Sequence, residues 1–288
     1  MNQATKLLCP RIAIAFDFDR TLIPDDSFHL LLKNCQLDVD DFIDNRVDPL
    51  FANGWDRYLA KAYCLVKESQ QRKDNKITQS KLVELGKKLK LYDGVTSMFE
   101  LLQQKVKGID PEIELEFYLI SGGFADIPRS TSIAKYFKRI WGCEFQYGDR
   151  GEIEFIKRQM THTEKTRYLY YLSKGIEKDN EKDLIYNYQD LSEDKIHVPL
   201  SQVIYVGDGS SDIPCFTVIN QYRGIALGVY PQNCTADEWK YLEKINYSQR
   251  VSGLVPANYQ KNSQLIRSLL LAIDCIGKRI ALRKLNLE

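Results

Sequence analysis

Three short, largely apolar runs each stop at a cluster of small and acidic residues: residues 12–16 before Asp17, residues 115–120 before Ser121, and residues 203–206 before Gly207. A strand covered on both faces is apolar on both sides of its pleat, so such runs predict buried parallel strands. Apolar residues recur at three- and four-residue spacings over residues 96–107, 130–141, 164–173 and 212–219, which predicts helices between and after the strands. Strands alternating with helices give an α/β fold built on a parallel sheet. Ligands bind such sheets beyond the carboxyl ends of the strands, where all three polar clusters fall. The three strand ends therefore converge on one candidate site.

The pattern changes between the first two strands. Residues 28–33, 39–51, 58–68 and 79–90 read as helices with no strand among them, so residues 23–91 form a candidate helical cap. Residues 145–156 read as a hairpin around Asp149-Arg150-Gly151. Residues 176–200 are polar, and the simplest expectation is a solvated excursion. Near the C-terminus, residues 265–285 put Ile266, Leu269, Leu270, Ile273, Ile276 and Ile280 on one helical stripe, with Lys278, Arg279, Arg283 and Lys284 towards its end. A closing helix on the core, its cations at the favoured end of the dipole, is expected; a basic amphipathic helix lying on a membrane is the alternative.

At 288 residues, 44% of them hydrophobic and 27% charged, the chain is long and apolar enough to fold around a sizeable core. A net charge of +1 gives no general attraction to nucleic acid or an anionic membrane. The seven cysteines are far apart and form no CxxC pair, as expected of reduced thiols. His29, His162 and His197 are isolated, which gives a zinc site little support. No apolar run is long enough to span a bilayer and no secretory pattern opens the chain, so a cytoplasmic location is expected.

The first strand ends in Asp17-Phe18-Asp19-Arg20-Thr21. Carboxylates at i and i+2 share one side of an extended segment. Like charges so close need a cation or a shared proton, which suggests a metal site or a nucleophile with an acid/base partner; a carboxylate capping the next helix is the simpler alternative. The third strand ends in Gly207-Asp208-Gly209-Ser210-Ser211-Asp212. There Asp208 could complete an all-oxygen site with Asp17, a donor set that suits Mg²⁺, while Asp212 could instead cap the helix that follows. Ser121-Gly122-Gly123 offers a hydroxyl and free N–H groups to an anionic oxygen, a plain turn being the alternative. Lys165 opens a helix, where the dipole does not favour a cation, and so can answer another anion; a solvated surface lysine is the simpler alternative.

Together, DxDxT, then serine, then lysine, then GDGxxD resembles the haloacid dehalogenase superfamily over residues 12–229. SGGF, GDGSSDIPCF and the position of the helical insertion resemble its phosphoserine-phosphatase-like branch with a C1 cap. The resemblance implies a Rossmann-like parallel-sheet core, residues 1–22 and 92–288 with a C-terminal helical extension from about 237, and the inserted α-helical cap at 23–91. It also implies a phosphatase in which Asp17 is the nucleophile and Asp19 the acid/base. Mg²⁺ would be held by Asp17, the Asp19 carbonyl and Asp208, with Asp212 in support. Ser121, Gly122 and Lys165 would bind phosphoryl oxygens, with Thr21 fixing the turn beside them.

The chain departs from phosphoserine phosphatases at Ser211, where they carry asparagine, and at Asp26, where they present a longer glutamate to the substrate ammonium. Arg46, Arg57 and Arg72 are candidates for a substrate carboxylate. The expected partner is a small phosphorylated metabolite. A phosphotransferase of the same fold, or a non-catalytic binding protein that keeps it, are the alternatives.

Overall fold

The structure, a computed structural model, describes residues 9–177, 191–192, 195–209, 211–231 and 251–286. Seven strands, β1 (Arg11–Phe16), β2 (Glu114–Phe124), β3 (Phe137–Tyr147), β4 (Ile153–Arg158), β5 (Val203–Gly207), β6 (Ile225–Tyr230) and β7 (Gly253–Pro256), form one sheet in the order β4-β3-β2-β1-β5-β6-β7. Among the described strands only the β3–β4 pair is antiparallel. Successive residues of β1, from Ile12 to Phe16, are all fully buried. Because they point alternately to the two faces, both faces of the sheet are covered.

The covering helices are α6 (Val95–Lys107), α8 (Glu164–Lys174), α9 (Ile213–Gln221) and α10 (Gln264–Leu285). Helix α10 packs on α6 and reaches β1 and β7, while α9 packs on α8 and reaches β5 and β6. Ser263 caps α10 by accepting from the Ile266 N–H, and its apolar stripe is buried through Ile280. Lys105 on α6 bonds Asp274 of α10 at 2.6 Å, and Lys284 reaches Asp110 and Glu112. This is the closing helix the sequence predicts, seated on the core.

Between β1 and β2 lie α1 (Ser27–Asn34), α2 (Val39–Phe42), α3 (Asp48–Ala52), α4 (Arg57–Gln71) and α5 (Gln79–Lys88). Asp26, Asp38 and Asp56 start α1, α2 and α4 by accepting backbone N–H groups, the usual use of an aspartate at an N-cap. The helix expected over 39–51 is interrupted by a π-turn at Ile43–Val47. The insertion is stitched to the β3–β4 hairpin by Gln79 N–H to Gly151 O (2.8 Å) and Ile153 N–H to Ile77 O (2.9 Å).

Two expectations need correcting. Residues 130–141 are not a helix: after the short α7 (Asp126–Arg129) and a 3₁₀ turn at Ala134–Tyr136, the chain enters β3. Ile133, Tyr136, Phe137, Ile140 and Trp141 fit a helical spacing. The alternation through Trp141, Cys143 and Phe145 fits a strand equally, and pairing with β2 decides between them. The C-terminal extension is not purely helical either, because β7 extends the sheet before α10 begins. The polar excursion lies mostly outside the described residues, as do Ser210 and Cys234. Among the described residues the cysteines are free thiols, and no helix is long and apolar enough to cross a membrane.

Candidate active site

Asp17 is the first residue past β1, and its N–H still bonds the Val206 carbonyl of β5 at 2.8 Å. That bond fixes where the side chain leaves the sheet. Lys165, in the first turn of α8, is 1% exposed, and its ammonium lies 2.8 Å from Asp17 Oδ1 and 2.8 Å from Asp212 Oδ1. Its third neighbour is Ser211 Oγ at 3.3 Å. Burial alone would lower the lysine's pKa, but the carboxylates of Asp17 and Asp212 outweigh it and hold the pKa well above its ordinary value.

Asp212 is fully buried and already satisfied. Oδ1 accepts from Lys165 and from the Tyr205 hydroxyl at 2.6 Å, and Oδ2 accepts from the Asp208 N–H at 3.1 Å. A side chain on Gly207 would place its Cβ 2.4 Å from Asp212 Oδ2, so this turn closes only with glycine. Asp208, on the same loop, is pushed up to about 7 by burial and by the Asp212 carboxylate. Asp17 too is pushed up by burial and by Asp212, against Lys165. Two carboxylates thus share one ammonium, with a third beside them.

That excess of negative charge calls for a cation. Asp17, Asp208 and Asp212 bring one carboxylate oxygen each within 4.8 Å of one another, an all-oxygen set with few protein ligands that suits Mg²⁺. The residues fit the ion, with Asp17 and Asp208 offering open oxygens and Asp212 orienting Lys165 and the loop.

Asp19 is held separately: Oδ1 accepts from the Ser27 N–H at 2.9 Å and Oδ2 from the Ser27 hydroxyl at 3.0 Å. Burial, reinforced by Asp26 and opposed by the Ser27 bonds, raises it to about 6. A carboxyl with that value can both give and take a proton near neutrality. At the end of β2, Ser121 is 1% exposed and its Oγ accepts from the Gly123 N–H at 3.0 Å.

These residues border a cavity of about 710 Å³ whose floor includes Asp17, Asp19, Gly122, Lys165, Asp208 and Ser211. Of the other residues expected here, Ser121, Thr21 and Asp212 are buried beside the lining residues. Thr21 Oγ1 is buried without a partner among the described residues. Asp26 reaches the cavity, but its Oδ1 is engaged by the Phe28 and His29 N–H groups. The arginines separate: Arg57 lines the cavity, over Phe51 and 2.9 Å from Asp48, whereas Arg46 and Arg72 are paired with Glu68 away from it.

Sequence reasoning missed Arg20, Tyr58, Lys61 and His162, which also line the cavity. Arg20 takes a left-handed conformation, φ 55°, where the chain turns towards α1. Tyr58 and Lys61 are three apart on α4 and so share a face. That spacing is a legible signal, but a charged helix face is equally well a solvated one.

No family model matches the sequence. An uncharacterised protein of Borreliella burgdorferi is 27% identical over 283 residues, covering 88% of this chain and 93% of that one. Among solved structures, a haloacid dehalogenase family hydrolase of Salmonella enterica serovar Typhi superposes with a TM-score of 0.58 at 14% identity, covering 91% of this chain and 71% of the other. Phosphoserine phosphatase in its apo form gives 0.53 at 14% identity, covering 91% and 98%. A probable phosphoserine phosphatase of Vibrio cholerae gives 0.56 at 11%, covering 96% and 69%. The chain therefore has the haloacid dehalogenase fold, with phosphoserine phosphatases among its structural relatives.

Proposed function

We propose that the chain is a Mg²⁺-dependent phosphomonoesterase that hydrolyses a small phosphorylated metabolite through a phosphoaspartate on Asp17. The observation that supports it most is Lys165, buried and charged between Asp17 and Asp212 at the floor of a cavity that also presents Asp19 and Asp208.

In the first half-reaction Asp17 attacks phosphorus. The bond from phosphorus to the ester oxygen breaks, and the Asp19 proton passes to the leaving alkoxide. In the second, Asp19 takes a proton from water as that water attacks phosphorus, which releases inorganic phosphate and restores the Asp17 carboxylate. The Gly122 N–H, Ser121 and Lys165 hold the non-bridging oxygens where charge spreads in the transition state. Mg²⁺, held by Asp17, the Asp19 carbonyl and Asp208, supplies further charge neutralisation when bound.

Residues 23–91 act in this reading as a cap over a core of residues 1–22 and 92–288, and they carry the substrate specificity. The Lys61 ammonium lies 4.7 Å over the Phe28 ring, and Arg57 shares the cavity wall. Two cations there favour a phosphomonoester with a second anionic group, such as a carboxylate. With Asp26 engaged as a helix cap and Ser211 near Lys165, phosphoserine is one member of the class to be tested and not the presumed substrate.

The test is phosphate release from a panel of phosphomonoesters, with and without Mg²⁺, for wild type and Asp17→Asn. Metal-dependent release that the substitution abolishes is expected. Release at the wild-type rate by Asp17→Asn would overturn the reading.

A further inference from the structure

Tyr58 stands on α4, in the inserted segment, yet it reaches the end of β2. Its ring lies across Gly122: a Cβ built there would be 2.7 Å from Tyr58 Cε1 and 3.2 Å from the hydroxyl oxygen. The hydroxyl therefore sits beside the backbone that offers its N–H to the phosphoryl site. The charges of Lys165, Asp17, Asp212 and Asp19 all act on it. His162 packs edge-on against the ring, with centroids 5.3 Å apart, and lines the same cavity. Tyr58 is half-buried and lines the cavity, and among the described residues its hydroxyl has no hydrogen-bond partner within the protein, so it is free to bond a ligand there. Burial pushes its pKa up, so it remains a donor at neutral pH.

We infer that Tyr58 donates a hydrogen bond to a non-bridging oxygen of the phosphoryl group in transfer, so that the cap supplies a catalytic residue as well as a cover. This rests on the phosphomonoesterase reading. It assigns the hydroxyl a role that the ring cannot fill alone, since a purely steric lid needs only the aromatic face over Gly122. The same contact explains why residue 122 has no side chain to spare: Gly122→Ala would force Tyr58 off the site.

The test compares wild type and Tyr58→Phe, which keeps the ring, in two readouts on the Mg²⁺-loaded protein. One is kcat/KM with a substrate from the panel, and the other is orthovanadate affinity by calorimetry. A hydrogen bond to a charged acceptor predicts a loss of about 10- to 100-fold in both, with an unchanged melting temperature. Orthovanadate affinity equal in the two proteins, or absent from both, overturns the inference. Full turnover by Asp17→Asn overturns the phosphoaspartate reading instead, and the vanadate comparison still reads Tyr58. A second prediction separates ring from hydroxyl: the vanadate affinity lost in Gly122→Ala is smaller when measured in a Tyr58→Ala background.

Discussion

An ammonium taken out of water costs several kcal/mol unless anions meet it at close range, and Lys165 is met at 2.8 Å by two. Replacing it with methionine keeps the stem and removes the charge, leaving Asp17, Asp208 and Asp212 to repel one another. Lys165→Met is expected to lower stability by about 3–5 kcal/mol in equilibrium urea unfolding without Mg²⁺; a change within about 0.5 kcal/mol, the range of ordinary surface substitutions, would show that the pair is not what holds the site. At this scale the sequence is legible where backbone position dictates chemistry. Asp17, Asp19, Asp208 and Asp212 follow strand ends and Lys165 stands in the first turn of a helix, and the structure gathers them at one end of the sheet. Tyr58 and His162 are not legible in that way. Their place depends on how α4 packs on β4, which brings Tyr58 over Gly122 and against His162, a matter of packing between distant segments.

Among the elements, β1, β2 and β5 could be read because burial on both faces leaves no other pattern for a short run. α10 could be read because its stripe is unbroken from Leu265 to Ile280. Ile273 is fully buried within that stripe, so Ile273→Ala should cost about 2–5 kcal/mol, measured as a shift in the urea midpoint. A negligible shift would mean that α10 is not part of the cooperative core. β3 could not be read, since its residues satisfy helical and strand spacings alike and only the neighbouring β2 chooses. β7 is four residues long, too short for periodicity to register. The clamp it leads into was equally hidden: Tyr259, fully buried, donates its hydroxyl to the Thr21 carbonyl at 2.8 Å and its N–H to the Asp93 carbonyl. One residue near the C-terminus thereby ties together both chain segments that lead into and out of the helical insertion.

Across the whole molecule, distant segments are also bound by charge away from the site. Glu116 on β2 accepts from the Tyr118 hydroxyl, from Lys138 on β3, and from His197 at 2.8 Å. Burial would raise the carboxyl's pKa, but the bonds from His197, Lys138 and Tyr118 outweigh it and hold it at about 2, below the ordinary 4.5. A depressed carboxyl contributes stability that is fully present above its unfolded value and is lost as pH falls through the folded one. Wild type should therefore lose stability between about pH 4.5 and pH 2, and Glu116→Gln should lose less over that window. Parallel pH dependence in the two proteins, read from urea midpoints, would contradict this. The central claim, the proposed phosphoaspartate on Asp17, is tested most directly by quenching the protein during incubation with Mg²⁺ and a phosphomonoester, reducing any acyl phosphate with borohydride, and locating the product by peptide mass spectrometry. The account predicts conversion of Asp17, and of no other carboxylate, to homoserine. Phosphate release with Asp17 unmodified under trapping conditions, or conversion at another carboxylate, would contradict it.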